Sequence, residues 1–250
     1  MGKRYVDLSL TIVASGKFSM VPRNEIWGQE EVATSIVSIS KPDEWPMHKF
    51  EMSTESFTHV HVPANLYQDG WTNEKVPTEM FFGEAVVFNM SHKRELEPVT
   101  AADLEATGLE VRPGDMAIVR TDWSDKHWGT AKFWVEMPYL AEDGCDWLLA
   151  KGIKAYVSDT YNDSPLAKYG EGGRLEPSRL GSPTHYKFLK ANVILVEYVT
   201  NLSALKKSRV ELVCLPLKLS GVGQAPARVV AIEHDGPSRG ASRRRRTTLG

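Results

Sequence analysis

The chain has 250 residues, of which 42% are hydrophobic and 25% are charged. These proportions are typical of a globular protein and exclude an intrinsically disordered or fibrous chain. The two cysteines, Cys145 and Cys214, are too few for a disulfide scaffold and predict buried free thiols. The sequence shows neither the apolar core of a signal peptide nor a run of about 18 apolar residues that could span a membrane. We therefore expect a cytoplasmic location.

The net charge of −2 combines a mildly acidic body with a basic end. Five arginines lie within residues 235–250, among glycine, serine and proline, so this stretch is predicted to be a disordered tail. An acidic body argues against a nucleic-acid partner, and the absence of a spanning segment argues against a membrane partner. No repeat or long linker divides residues 1–234, which we expect to form one domain.

Strand-like segments, rich in Val, Ile, Thr and Tyr, predominate along the chain. We predict strands at residues 4–12, 31–40, 54–62, 84–90, 115–121, 153–158, 193–199, 210–217 and 227–232. Helices are predicted at residues 100–108, 141–151 and 183–190, the first because Thr100 can cap its start and Gly108 can end it. Strands that outnumber irregularly placed helices indicate an α/β fold with a mixed sheet rather than a doubly wound one.

Residues 55–65 carry the clearest chemical signal. In a strand, side chains two residues apart point to one face, so Glu55, Phe57, His59 and His61 are predicted to share a face. Two imidazoles placed in this way can converge on one metal ion, and Glu55 could complete a set of two histidines and a carboxylate. Two histidines on an exposed strand face are the alternative interpretation.

A second signal comes from His185, on the predicted helix at 183–190, and from Glu197, inside an apolar strand. An ionised carboxylate is costly in such a strand unless it is paired with a cation or binds a metal ion. Glu197 is therefore a candidate ligand, with an arginine or lysine partner as the alternative. His185 taken alone is as compatible with a structural role.

The chain resembles the metal-dependent cyclase family, which includes bacterial kynurenine formamidases, isatin hydrolases and antibiotic-biosynthesis cyclases. The resemblance extends from about residue 4 to residue 232 and depends on the order and spacing of several short motifs. It implies a compact, swivelling β/β/α-type fold, a homo-oligomer, and a zinc or manganese site. The motifs lie at residues 5–9, 113–123, 147–160, 184–185, 197–202 and 215–221.

The family signature, His-x-Gly-Thr-His-x-Asp-x-Pro-x-His, aligns with residues 55–65, where this chain departs from it. Glu55 stands at the first ligand histidine, Phe57 at the glycine and His61 at the aspartate. Asn65 replaces the last histidine, which resembles the family's acid/base. His185 and Glu197 stand at the positions of the family's distal ligands. The predicted ligands are thus Glu55, His59, His61, His185 and Glu197.

Two consequences follow from these replacements. The His61 imidazole has one lone pair to offer and cannot easily bridge two ions, so we predict a single divalent ion, Zn or Mn. An amide is no general base, but the Asn65 amide could donate a hydrogen bond to a developing oxyanion. Asp159 and Asp163, at a strand end, are further candidates for acid/base or supporting roles, with loop capping as the alternative.

These features predict a metal-dependent enzyme that acts on a carbonyl of a small cyclic or cyclisable molecule. Because Asn65 replaces a base, we favour a ring-forming cyclase of polyketide or other natural-product biosynthesis. The alternatives are a metal-dependent hydrolase of a cyclic amide, a lactone or a formamide, and a metal-free member that only binds a ligand. Aromatic residues that could line a substrate pocket are Tyr67, Trp71, Phe81, Phe82, Trp123, Trp128 and Tyr161.

Overall fold

The computed structural model describes residues 2–14, 34–163 and 183–235. Twelve strands lie in these ranges: β1 Lys3–Asp7, β2 Ser35–Ser38, β3 His48–Glu51, β4 His59–His61, β5 Phe82–Asn89, β6 Pro98–Val99, β7 Met116–Arg120, β8 Tyr139–Leu140, β9 Ala155–Ser158, β10 Ile194–Glu197, β11 Arg209–Pro216 and β12 Gln224–His234. The same ranges contain five α-helices: α1 Ala101–Ala106, α2 Trp123–His127, α3 Ala131–Val135, α4 Glu142–Ala150 and α5 Pro183–Lys190.

Eight strands form one mixed sheet in the order β1-β12-β11-β5-β7-β9-β10-β4. Neighbours are parallel from β5 through β7 and β9 to β10, and antiparallel elsewhere. Strand β4 also pairs with β12, so the sheet closes into a barrel-like ring through a strand of three residues. The short β2–β3 and β6–β8 pairs are separate from this sheet.

The central strands bury both faces, as their nearly continuous apolar sequences require. On β7, Met116 and Ile118 belong to one hydrophobic cluster, while Ala117 and Val119 belong to a second cluster on the opposite face. The second cluster also includes residues of α1, α4 and α5, namely Leu104, Cys145, Leu148, Phe188 and Leu189. Helices α1, α4 and α5 therefore cover one face of the sheet, and the other face is packed by strand residues together with residues of short 3-10 helices and loops, such as Phe81 and Leu202.

The mixed α/β sheet predicted from the sequence is confirmed, and the three predicted helices correspond to α1, α4 and α5. Helix α1 begins at the predicted cap, where Thr100 and Asp103 form a capping box. The strand predicted at 54–62 is wrong over its first half, because only His59–His61 are extended. Residues 31–33 of another predicted strand, and residues 236–250 of the predicted tail, lie outside the described ranges.

None of the helices in the described ranges combines the length and apolar character that a membrane span requires.

Candidate metal centre

Strand β4 places two histidines between two partner strands. His59 lies opposite Glu197 of β10, and His61 lies opposite Gln224 of β12. Directly opposed residues of antiparallel strands project to the same face, so these four side chains meet on one side of the sheet. The short strand thus gives each histidine one polar neighbour from a different part of the chain.

The side chains of His59, His61 and Glu197 converge, with one possible donor atom of each within 4.8 Å of the others. The two Nε2 atoms are 2.6 Å apart, and Glu197 Oε2 lies 3.6 Å from His59 Nε2 and 3.7 Å from His61 Nε2. All three residues are buried. Two imidazoles and a carboxylate are donor types that Zn²⁺ and Mn²⁺ both accept, so the set fits a divalent cation.

His59 is prepared for metal binding by its surroundings. Its Nδ1 lies 2.8 Å from the carbonyl oxygen of Phe57, which can only accept, so the ring proton is on Nδ1 and the Nε2 lone pair faces Glu197. Burial lowers the pKa of His59 to about 4, and the adjacent His61 adds to this effect. The ring is therefore neutral at physiological pH, which is the form that binds metals.

Glu197 is a buried carboxylate whose ionic partners in the described ranges are imidazoles, with neither lysine nor arginine among them. Burial raises its pKa, but His61 and His185 outweigh this effect and hold the pKa well below its usual range. The backbone N–H of Asn162 also donates to Oε1, at 3.1 Å. A buried anion with this environment satisfies the requirement for a charged metal ligand.

His185 contacts both Glu197 and the histidine pair, since its ring centre lies 5.1 Å from that of His61. Its Nε2 is 3.2 Å from Glu197 Oε1, and its Nδ1 is 2.6 Å from Asp163 Oδ2. Burial lowers the pKa of His185, but the two flanking carboxylates outweigh it and raise the pKa to about 10. This pKa favours the imidazolium at neutral pH, which balances the charge of Glu197, and the predicted role of His185 as a metal ligand stays a prediction.

Asp163 fixes the position of His185. One of its oxygens accepts hydrogen bonds from Thr184, through the backbone N–H at 3.2 Å and the hydroxyl at 2.5 Å, at the start of α5. The other oxygen holds His185 Nδ1. Asp163 is thus part of the centre through His185, and its predicted acid/base role stays a prediction.

Asp159 is used differently. Both of its oxygens accept the backbone N–H of Thr121 at 3.0 Å, and one accepts the N–H of Trp123 at 3.2 Å, at the start of α2. Burial raises the pKa of Asp159 to about 7, and the hydrogen bonds from Thr121 oppose this rise. These contacts match the capping alternative, and a catalytic role for Asp159 also stays a prediction.

The predicted common face of Glu55, Phe57 and the histidines is wrong, because the chain turns before β4 begins. Phe57 has a φ of 56°, in the left-handed region, which costs a non-glycine residue about 1–2 kcal/mol. This turn directs the Phe57 carbonyl to His59, and Glu55 reaches Gln224 beside the histidines from the preceding turn instead of from the strand. The Phe57 ring is buried and packs 6.1 Å from Trp128.

Glu55 and Asn65 are joined at the solvent side of the centre by Gln224, which sequence reasoning missed. Gln224 Nε2 donates to Glu55 Oε1 at 2.9 Å and also to Asn65 Oδ1. Asn65 Nδ2 then donates to His61 Nδ1 at 2.7 Å. No local signal marked Gln224, since its position depends on the pairing of β12 with a strand more than 150 residues earlier.

Aromatic rings surround the His59 end of the centre. The Tyr198 ring lies 5.0 Å from His59 and 5.3 Å from Trp128, and the Tyr161 ring lies 5.7 Å from His185. Of the predicted pocket residues, Trp123, Trp128 and Tyr161 belong to this cluster. Phe81 lies in the main hydrophobic core instead, where strand packing buries it.

Comparisons with known proteins place this centre in a family. The family model Cyclase, described as "Putative cyclase", matches residues 6–163. The chain belongs to this family. The match spans more than half of the chain, from β1 through Asp163, and it confirms the resemblance on which the sequence analysis depended.

Curated members of similar sequence are named as hydrolases. A kynurenine formamidase of Salinibacter ruber is 24% identical over 225 residues, which cover 85% of this chain and 93% of the relative. An isatin hydrolase of Roseibium aggregatum is 24% identical over 198 residues, which cover 72% of each chain.

Solved structures show the same fold. Isatin hydrolase A from Ralstonia solanacearum superposes with a TM-score of 0.77 at 24% identity, covering 93% of this chain and 92% of its own. A protein described as a potential metal-dependent hydrolase with cyclase activity gives a TM-score of 0.68 at 23% identity, covering 94% and 100%. At this level of identity the structural similarity establishes the fold alone, and the reaction has to be inferred from the residues of the site.

Proposed function

We propose that the protein is a metal-dependent hydrolase that opens a cyclic amide, a lactone or a formamide of a small molecule. The observation that carries the proposal is the convergence of His59, His61 and Glu197 in a buried centre. The names of the relatives, kynurenine formamidase and isatin hydrolase, favour hydrolysis over the ring-forming cyclase expected from the sequence. We propose one Zn²⁺ or Mn²⁺ ion per chain, because His61 cannot bridge two ions.

A divalent cation held by these residues supplies polarisation of a carbonyl oxygen and a lowered pKa for water. The chain's own residues orient and balance the site. Phe57 holds the His59 ring through its carbonyl, and Glu197 supplies a negative charge in a buried environment. The His185–Asp163 pair, in contact with both Glu197 and His61, keeps this carboxylate ionised and fixed.

The residue at position 65 separates hydrolysis from ring closure. Asn65 cannot remove a proton from water, so hydrolysis would need the lowered pKa of water that a cation bound by these residues would supply, in place of an imidazole base at position 65. The amide N–H groups can stabilise a developing oxyanion, which both reactions require. Asn65 is therefore compatible with either reaction, and the names of the relatives support the hydrolase.

The experiment that tests this proposal measures metal content and turnover together. Protein dialysed against Zn²⁺ or Mn²⁺ is assayed by elemental analysis and is then incubated with isatin, an N-formylated aromatic amine and a simple lactone. We expect about one ion per chain and metal-dependent opening of at least one of these compounds. Glu197→Gln should lose both properties, whereas Glu211→Gln, which changes a carboxylate on β11, should retain both.

Three results would contradict the proposal. Two ions per chain would exclude the single-ion site, and ring closure of a polyketide chain without hydrolysis of any test compound would restore the cyclase interpretation. No bound ion, together with no gain in thermal stability on metal addition, would identify a metal-free binding protein.

A further inference from the structure

A chain of polar side chains leads from the partly exposed side of the centre to His61. Glu55 accepts a hydrogen bond from Gln224, Gln224 donates also to Asn65, and Asn65 donates to His61 Nδ1. All of these contacts are partly buried. We call this set the amide chain: Glu55, Gln224 and Asn65.

The backbone holds the amide chain in place. The N–H of Val62 donates to the carbonyl of Gly223 at 2.8 Å, and a Cβ at Gly223 would lie 2.3 Å from the backbone nitrogen of Asn65. The next residue, Gln224, is paired directly with His61 across the β4–β12 ladder. Because the backbones are fixed so closely, the freedom that remains is rotation of the two amide groups about their own bonds.

The direction of every hydrogen bond in the chain is set by Glu55. An ionised carboxylate only accepts, so the NH₂ group of Gln224 faces Glu55. The same NH₂ group meets the carbonyl oxygen of Asn65, which turns the NH₂ group of Asn65 toward His61 Nδ1. His61 Nδ1 must therefore offer its lone pair, and the ring proton is on Nε2.

This proton position opposes metal binding. A histidine binds a cation through the lone pair of one nitrogen, while the other nitrogen donates its proton to an acceptor. His59 already satisfies this rule through the Phe57 carbonyl. For His61 to bind through Nε2, the Asn65 oxygen must face Nδ1, and the Gln224 oxygen must then face the Asn65 NH₂ group. That rotation would bring the Gln224 oxygen against the Glu55 carboxylate.

We propose that the amide chain is a hydrogen-bond switch that sets the proton position of His61 and thereby weakens cation binding. Glu55 is then a positioning residue that acts through Gln224 and Asn65, and it is not a ligand as its sequence position suggested. The inference depends on the proposed metal site at His59, His61 and Glu197. Under this proposal Glu55 lowers the affinity of the site for the cation, whereas a ligand would raise it.

The first test measures the affinity of Zn²⁺ and of Mn²⁺ by isothermal titration calorimetry in the full chain. In Glu55→Gln, the introduced amide can donate to the Gln224 oxygen, so the rotated chain loses its repulsive contact. We expect the affinity to rise about tenfold, the lower end of the effect of residues that orient metal ligands. Glu51→Gln, which removes an exposed carboxylate of β3 paired with Lys49, should leave the affinity unchanged.

The second test exchanges donor and acceptor. In the double variant Glu55→Gln/Gln224→Glu, the introduced carboxylate accepts from position 55 and from the NH₂ group of Asn65. The Asn65 oxygen is then held toward His61. Nitrogen-15 NMR of the metal-free proteins should show the His61 proton on Nε2 in the wild type and on Nδ1 in the double variant, which should also bind the cation most tightly.

Two results would overturn the inference. One is a lower affinity in Glu55→Gln, which would make Glu55 a ligand. The other is the same His61 proton position in the metal-free wild type and double variant. Failure of the proposed function has a different signature, because no variant would bind Zn²⁺ or Mn²⁺. The NMR spectra would still report whether the amide chain controls His61.

Discussion

The two histidines of β4 occupy contrasting surroundings although only one residue separates them. His59 is fully buried, faces the ring of Tyr198, which packs in turn on Trp128, and is fixed by a backbone carbonyl. His61 faces the amide chain, whose members can rotate and are partly exposed. A backbone acceptor cannot change its polarity, whereas an amide can present either end. The half of the centre around His59 is therefore preset for a cation, and the half around His61 is adjustable.

Glu197 lies beside both His59 and His61, so its removal should have the largest effect on cation binding. Glu197→Gln keeps the shape of the side chain but removes the anionic ligand. We expect the affinity for Zn²⁺ to fall by more than about 100-fold, the upper end of what residues behind the ligands produce. Calorimetric titration measures this loss, and an affinity within about tenfold of the wild type would show that Glu197 is not a ligand.

The preset half should respond strongly to changes at Phe57. Phe57→Ala removes a buried ring but keeps a side chain in the left-handed conformation, so we expect a loss of about 3–5 kcal/mol in unfolding free energy. Phe57→Gly also removes the ring but relieves about 1 kcal/mol of backbone strain. Urea unfolding should therefore rank the glycine variant above the alanine variant. The reverse order would mean that the left-handed turn is not strained.

His185 should make stability depend on pH. Its folded pKa of about 10 lies above its ordinary value of 6.5, so its stabilising charge is fully present below pH 6.5 and is lost as the pH rises toward 10. His185→Gln should thus be less stable than the wild type at pH 6.5, by several kcal/mol, and the gap should narrow by pH 10. Denaturant titrations at both pH values measure the gap, and a constant gap would contradict the assignment.

Substitutions next to the amide chain should lower the free energy of unfolding by the smallest amount. Gly223→Ala would place a Cβ against the Asn65 backbone, and we expect a cost of about 1–3 kcal/mol from overpacking. Gly221→Ala is the comparison variant: its φ of 75° favours glycine, unlike that of Gly223, but no atom lies within 4 Å of the added Cβ, so it reports backbone strain without overpacking. A larger loss at position 221 than at 223 would show that the close approach to Asn65 is relaxed in solution.

Local chemistry made much of the centre predictable from the sequence. The spacing of His59 and His61 places them on one strand face, and a carboxylate at Glu197 in an apolar strand demands a partner. The structure brings these three side chains together. The mixed α/β fold and the family were predictable because several motifs in a fixed order constrain both.

Other features were not predictable because they depend on distant pairings or on unusual conformations. A left-handed phenylalanine is rare, so the strand was predicted to begin before Phe57, and Glu55 was assigned to that strand instead of to the turn that precedes it. Gln224 reaches His61 only because β12 closes the ring onto β4. The preference for ring closure was inferred from Asn65 and from the antibiotic-biosynthesis cyclases of the family, without the hydrogen bonds that Asn65 makes to Gln224 and His61.

Strand β4 has only three residues, and it pairs with β10 on one side and β12 on the other. The segment that closes the barrel-like ring, which we call the seam, therefore also carries the two histidines. A fluctuation that breaks the pairing of β4 would also separate the residues of the metal centre. A cation that cross-links β4 to β10 would act as a clasp on this seam. Once the cation binds, the amide hydrogens of residues 59–61 and 194–197 would exchange more slowly, whereas exchange in the rest of the core would stay the same.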